Sequence, residues 1–292
     1  METNTIYILN SLDKNITEIN ISNMNITGIL DLSEFKNLIY LYCYNNQITE
    51  IINLSDNIKY IDCSNNLINK LEIPENLEGI DSSKNRIEHL IYKLNIAPNK
   101  WPKKLKYLYL GDKFNQSLNN LPEGLESLIT GTNYNKPLDN LPSSLKYLIC
   151  GYWFNYPINN LPNNLEYLAL GNNFNKPIDC LPSSLKQIIF GYYFNQNIDN
   201  LPCSIEKITF GYSFNKPINN LPQNIKTIVF DNCSFNQISD NLPLSLQNII
   251  IEHNFEEDYD SSDSYDDYEF YIKNKYKKVF PNNYVSLRLN YY

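Results

Sequence analysis

GYWFNYPINNLPNNLEYLAL (151–170) is followed at once by GNNFNKPIDCLPSSLKQIIF (171–190) and then by GYYFNQNIDNLPCSIEKITF (191–210). Each stretch opens on Gly, carries Phe-Asn three places later, and reaches Leu-Pro just past its middle. A phrase rewritten at a fixed period of this length is the mark of a solenoid, in which each turn buries its apolar side against the next. Working outward, the first apolar residue of every LxxLxL-like phrase falls at Ile16, Leu38, Ile58, Leu77, Leu105, Leu125, Leu145, Leu165, Leu185, Ile205, Ile225 and Leu246. From Leu105 to Ile225 the step is a strict twenty, whereas Leu77 to Leu105 is twenty-eight.

Within LKYLYLGDKFNQSLNNLP (105–122) the apolar pair 108 and 110 alternates as a short strand does, so the spacing predicts one parallel strand per turn. Twenty residues leave little room for a return helix. The expected fold is therefore a leucine-rich-repeat-like solenoid of about twelve turns, with a short parallel strand per turn and a mostly irregular return path. Gly at 111, 131, 151, 171, 191 and 211 marks close stacking, Pro at 122 to 222 stiffens the return path, and Asn115 with its successors is expected to bond backbone between turns.

The residue after each anchor reads Lys106, Glu126, Lys146, Glu166, Lys186, Glu206, Lys226. Neighbouring parallel strands lie about 4.8 Å apart, so this column predicts a ladder of alternating charge. Its role is structural: a stack slipped by one turn would bring like charges together. The outward strand positions differ in kind. They carry Tyr40, Tyr60, Tyr107, Tyr147 and Tyr167 in one column, and Tyr42, Tyr109, Ile129, Ile149, Ile189, Val229 and Ile250 in the next. Contiguous exposed apolar surface marks interfaces and tyrosine suits binding hot spots, although strand propensity alone also favours these residues.

The early phrases LIYLYCYNNQITEI (38–51), IKYIDCSNNLINKL (58–71) and LEGIDSSKNRIEHL (77–90) resemble ordinary leucine-rich repeats. Asn46, Asn66 and Asn85 match that family's ladder asparagine, and Ile48, Ile68 and Ile87 its following core residue. From Leu105 onward the chain resembles the FNIP repeat, with FNQSL (114–118), YNKPL (134–138), FNYPI (154–158), FNKPI (174–178), FNQNI (194–198), FNKPI (214–218) and FNQIS (235–239). The resemblance implies a protein of social amoebae or of giant viruses that infect amoebae, acting in the cytoplasm, of the host cell if viral. Similar proteins often carry an F-box and are proposed as substrate receptors of ubiquitin ligases. Only fifteen residues precede the first phrase here, too few for a three-helix F-box.

The chain is thus expected to comprise an N-terminal cap (1–15), ordinary leucine-rich-type repeats (16–90), a joint or bulge (91–104), FNIP-type repeats (105–251), an acidic disordered loop (252–269) and a C-terminal cap (270–292). Formal net charge is −8, but eight acidic residues fall between Glu256 and Glu269, so the rest is near neutral and lacks the basic footprint of a nucleic-acid binder. Ser261, Ser262 and Ser264 sit inside that acidic run. No basic n-region precedes a long apolar run, and no stretch approaches the eighteen apolar residues of a membrane helix.

The six cysteines follow no metal-binding spacing. Cys43, Cys63 and Cys150 occupy a core position and read as small buried hydrophobes; a disulfide between the stacked Cys43 and Cys63 is the geometric alternative. His89 and His253 are the only histidines and stand at opposite ends. No phosphate-binding, zinc-protease or nucleophile-elbow motif occurs. The sequence therefore predicts no catalytic residue, metal or cofactor. It predicts a monomeric, non-enzymatic scaffold that binds an unidentified protein, neither nucleic acid nor membrane, through the Tyr/Ile face. The alternatives are a ubiquitin-ligase adaptor and a self-associating structural protein.

Overall fold

Each phrase becomes a strand because its apolar residues alternate, and the strand is short because the next glycine or turn ends it. The computed structural model describes residues 3–74, 76–86, 89–92, 101, 103–112, 114–239, 241–252, 278–279 and 285–287. The chain divides into two compact units, Met1–Phe154 and Asn155–Tyr292, a division that falls within the FNIP-like phrases rather than at 91–104. The acidic run and most of the expected C-terminal cap lie outside the described residues.

In the first unit a helix α1 (Thr3–Asn10) precedes β1 (Glu18–Asn20), β2 (Thr27–Asp31), β3 (Tyr40–Tyr42), β4 (Gln47–Ile52), β5 (Tyr60–Asp62), β6 (Lys70–Ile73), β7 (Gly79–Asp81), β8 (His89–Tyr92), β9 (Tyr107–Tyr109), β10 (Ser127–Ile129) and β11 (Tyr147–Ile149). One parallel sheet runs β1-β3-β5-β7-β9-β10-β11, one repeat per strand, in residue-for-residue register such as Ser127 beside Tyr147. The return path is not wholly irregular here: β2 pairs with β4, and β6 with β8, in two further parallel pairs. Leu30, Ile48, Ile51 and Leu71 bury the inner side of these strands. The sheet is unbroken across 91–104, since β7 pairs directly with β9 and Lys106 N–H donates to Glu78 O (2.8 Å).

The second unit holds β12 (Tyr167–Ala169), β13 (Gln187–Ile189), β14 (Lys207–Phe210), β15 (Thr227–Asp231), β16 (Asn248–Glu252) and β17 (Val285–Leu287). They pair in that order, all parallel. β17 comes from beyond the repeats and pairs along the edge of β16.

The core is built from columns. Anchors such as Leu38, Leu105, Leu125 and Leu185 are fully buried, as are the strand centres Leu41, Ile61, Leu128 and Ile188. The FNIP aromatics stack along each unit: Phe114, Tyr134 and Phe154 at centroid spacings of 6.5 and 6.4 Å, and Phe174, Phe194, Phe214 and Phe235 at 6.2, 6.2 and 6.1 Å. A second column, Phe190, Phe210 and Phe230, packs against the first, with Phe210 only 3.9 Å from Phe214. Each such ring contributes about 1.5–3 kcal/mol by burial. Cys43, Cys63 and Cys150 fill the position that phenylalanine takes elsewhere; they are free thiols, and burial pushes their pKa values up.

Two tight turns close the FNIP phrases that open on glycine. Phe194 N–H donates to Gly191 O, and Leu185 N–H to Pro182 O, so proline stands where only its carbonyl is needed. The glycine is required by its neighbour. A Cβ on Gly131 would overlap the carbonyl of Gly111, and one on Gly191 would meet Gly171 C at 2.6 Å and Asn172 Cα at 2.5 Å. Backbone passes directly over backbone at this point.

Two kinds of asparagine ladder hold the turns together. In the early phrases Asn66 is buried; it donates to Cys43 O (2.9 Å) and Cys63 O (3.0 Å) and accepts from Ile48 N–H (3.0 Å). Asn46 and Asn85 repeat this arrangement. Before each stands a residue with positive φ, Asn45 (54°), Asn65 (52°) or Lys84 (51°), and Asn65 Nδ2 donates to Asn45 Oδ1 (2.6 Å). In the FNIP phrases the expected ladder exists, but in a solvent-facing position. The Asn135, Asn175, Asn195 and Asn215 amides each donate to the side-chain oxygen of the asparagine one turn back, at 3.0–3.1 Å. A further row, invisible in the sequence reading, comes from Ser144, Ser184, Ser204 and Ser245, whose hydroxyls donate to the preceding turn's anchor carbonyl.

The charge ladder forms on the exposed side. Glu126 lies between Lys106 (3.6 Å) and Lys146 (3.2 Å); Glu166 meets Lys186 (2.6 Å) and Glu206 meets Lys226 (2.7 Å). The hydrogen bond from Lys146, then its charge, holds Glu126 below the usual carboxylate range, and Lys226 acts likewise on Glu206. The ladder also starts earlier than expected, with Lys59 and Glu78 at 3.3 Å in the same column.

Candidate interaction surface

The outward strand residues form two columns in the first unit. Register sets Tyr40, Tyr60, Gly79, Tyr107, Ser127 and Tyr147 side by side, and beside them Tyr42, Asp62, Asp81, Tyr109, Ile129 and Ile149. Tyr40, Tyr107 and Tyr147 are exposed at 40, 42 and 48%. Tyr42, Tyr60, Tyr109, Ile129 and Ile149 are half-buried. All eight predicted face residues of this unit thus stand on one sheet face.

The second unit is different. Tyr167, Ile189 and Ile250 are half-buried, with Gln187, Lys207, Thr227 and Asn248 continuing the first column. Val229 departs from the expectation of an exposed face residue: it is 5% exposed. Its short branched side chain lies in register between Thr209 and Ile250 on longer paired strands, and their packing covers it.

Sequence reasoning missed two aspartates that add negative charge to the first unit's face, where Glu18 already stands in register with Tyr40 at the β1 edge. Asp62 and Asp81 are register partners on β5 and β7, flanked in the same column by Tyr42 and Tyr109. Each carboxylate accepts from the backbone two residues on, Ser64 N–H (3.1 Å) and Ser83 N–H (2.9 Å), and Ser64 Oγ also donates to Asp62 (2.7 Å). Burial raises the Asp81 pKa, as does the Asp62 charge; the bonds from Ser83 and the Lys84 charge act the other way. Burial, with Asp62 and Asp81 adding to it, pushes the Tyr60 hydroxyl up to about 12.

Tyr60 also leans sideways. A Cβ on Gly79 would meet its ring at 2.7 and 2.8 Å and the Tyr107 ring at 3.6 Å, so the Tyr60 ring occupies the room that glycine leaves. The Tyr42 and Tyr60 ring centroids are 6.0 Å apart and tilted at 41°. The signal was present in the sequence, since Asp62 and Asp81 fall in the column of Tyr42, Tyr109, Ile129 and Ile149, but only the apolar members of that column entered the predicted face.

A second set of aromatics lies on the turn after the glycine. In the second unit Tyr192 stacks face to face on Tyr212 (4.7 Å) with Tyr193 at its edge (4.8 Å). In the first unit Tyr152 and Trp153 meet edge-on at 5.2 Å. All five are exposed by 40% or more. Among the described residues no group of three or more His, Cys, Asp or Glu side chains could hold a metal ion, and no helix is long and apolar enough to cross a membrane.

The FNIP Repeat family matches residues 114–153, 134–173, 154–193 and 194–220. Among solved structures, the chain is 25% identical to CroV588, described as a novel circular LRR protein, with a TM-score of 0.65; the match covers 97% of this chain but only 44% of that one. The leucine-rich effector YopM from Yersinia pestis is 24% identical at a TM-score of 0.56, over 81% of this chain and 69% of its own, a likeness of fold. No curated protein matches the sequence. Residues 114–220 are accordingly FNIP repeats, carried by a chain whose fold is a leucine-rich-repeat-like parallel solenoid.

Proposed function

We propose that the protein is a non-enzymatic scaffold that binds another protein through its strand faces. The observation that carries this reading is the pair of outward columns in the first unit. There Tyr40, Tyr107 and Tyr147 stand exposed beside half-buried Tyr42, Tyr60 and Tyr109 on one sheet. A solvated sheet face needs only polar residues, whereas broad, stiff tyrosine side chains are the common anchors of protein interfaces. The reading needs neither cofactor nor metal, and with it goes the proposal of a monomer acting in the cytoplasm, that of the host cell if the gene is viral.

The test is affinity purification from amoebal lysate with quantitative mass spectrometry, comparing the native chain with a variant carrying Ser at positions 40, 60, 107, 147 and 167. The expected result is loss of specific partners from the variant while its circular dichroism and unfolding midpoint stay close to native. Identical partner lists, or none, would overturn the reading.

A further inference from the structure

Resting on that reading, we propose what the first unit's face recognises: an arginine side chain on the protein partner, seated on Asp62 and Asp81 between Tyr42 and Tyr109. Four features of the sheet converge here. First, the two carboxylates are register partners on adjacent parallel strands, about 4.8 Å apart at the backbone, a spacing that a planar guanidinium spans with its two edges. Second, their column continues into a tyrosine on either side, Tyr42 next to Asp62 and Tyr109 next to Asp81, so the two charges stand between aromatic positions. A cation beside such rings gains from their quadrupoles as well as from the carboxylates.

Third, Tyr60 folds over Gly79 and brings a further ring beside the pair, an arrangement that any side chain at position 79 would block. Fourth, the charge is under-neutralised in the free protein. Asp81 is half-buried and in register with Asp62, whose charge adds to burial in raising the Asp81 pKa, while the Ser83 bonds and the Lys84 charge offset part of the rise. A partner bringing positive charge relieves that repulsion, so the face is complementary to a basic group and not merely sticky. The site is also local: at the equivalent strand position the second unit carries Ala169, Ile189, Thr209, Val229 and Ile250, with no carboxylate.

The experiment is a titration followed by carboxyl-carbon NMR on the full chain labelled at aspartate. The probe is the blocked pentapeptide Gly-Thr-Arg-Thr-Gly, alongside the same peptide with citrulline, an uncharged near-isostere, in place of arginine. The arginine peptide is expected to shift the Asp62 and Asp81 resonances with an affinity at least tenfold above that of the citrulline peptide. The double variant Asp62→Asn/Asp81→Asn keeps the side-chain oxygens that accept from Ser64 and Ser83, and it should lose at least tenfold in affinity. Asp56→Asn/Asp139→Asn, equal in charge but exposed elsewhere, should bind as the native chain does.

Equal affinity for the two peptides overturns the proposal. So does unchanged binding by Asp62→Asn/Asp81→Asn, or shifts confined to the acidic run 256–269. The double variant also separates this proposal from the broader reading. If it retains every partner that the tyrosine variant loses, the face is still an interface and the arginine seat falls alone.

Discussion

At the scale of single residues, the same amino acid does different work in the two kinds of phrase. Asn66 has three buried hydrogen bonds to backbone groups, sharing Cys43 O with Asn46 and Cys63 O with Asn85, whereas Asn195 accepts one from Asn215 N–H at a half-exposed position. Leaving buried groups unpaired costs about 1–3 kcal/mol each, while an exposed group turns to water. Asn66→Ala should therefore lose about 3 kcal/mol in urea unfolding and Asn195→Ala about 1 kcal/mol or less. Asp81 offers a pH-dependent counterpart. Its pKa is raised in the fold, so the folded state holds the proton more tightly and the ionised form opposes folding. Asp81→Asn should melt above the native protein at pH 7. The gap should close as the pH falls through the raised pKa toward the unfolded value, and a series of melting curves from pH 7 to 4 would record it.

At the scale of the element, strands and turns were legible because their cause is local. Alternation gave each strand, Gly and Pro marked where each phrase bends without naming the Gly-x-x-Phe and Pro-x-x-Leu turns, and a constant twenty gave the register. What stayed hidden depends on neighbours one repeat away. The pairing of β2 with β4 draws on Thr27–Asp31, which lies outside the repeated phrase, and it carries a register shift between Gly28 and Ile29. Val229 looked outward by alternation, yet the packing around β15 covers it. The charge ladder was readable from Lys106 onward, since a column of alternating Lys and Glu has no other simple explanation, whereas its earlier pair Lys59 and Glu78 was missed. Glu126→Lys would place three lysines in a row, 106, 126 and 146, at an exposed edge. The expected cost is about 1 kcal/mol at low salt, fading in 1 M NaCl, where the screening length is about 3 Å. Guanidinium is itself a salt, so urea melts at the two ionic strengths are the appropriate comparison.

At the scale of the whole molecule, stability comes as a sum of turn-to-turn interfaces, and a lesion should be felt by its neighbours first. Phe214 touches Phe194, Phe210 and Phe235, at the crossing of both aromatic columns of the second unit. Phe214→Ala should cost about 3–5 kcal/mol. Hydrogen exchange read by mass spectrometry should show the largest loss of protection in β14 and β15, and less in β12. The candidate face was only half legible at this scale: its tyrosines follow from the strand pattern, whereas Asp62 and Asp81 interrupt the apolar column that was used to pick the face.

The alternating ladder finally says something about ancestry. A gene that lengthens by copying one phrase would set two like charges on adjoining strands, while one that copies two phrases together preserves the alternation. LPSSLK stands at 141–146 and again at 181–186, forty residues on, with a glutamate-bearing phrase between them. The array has a parity, and selection would let it grow or shrink by even numbers of turns.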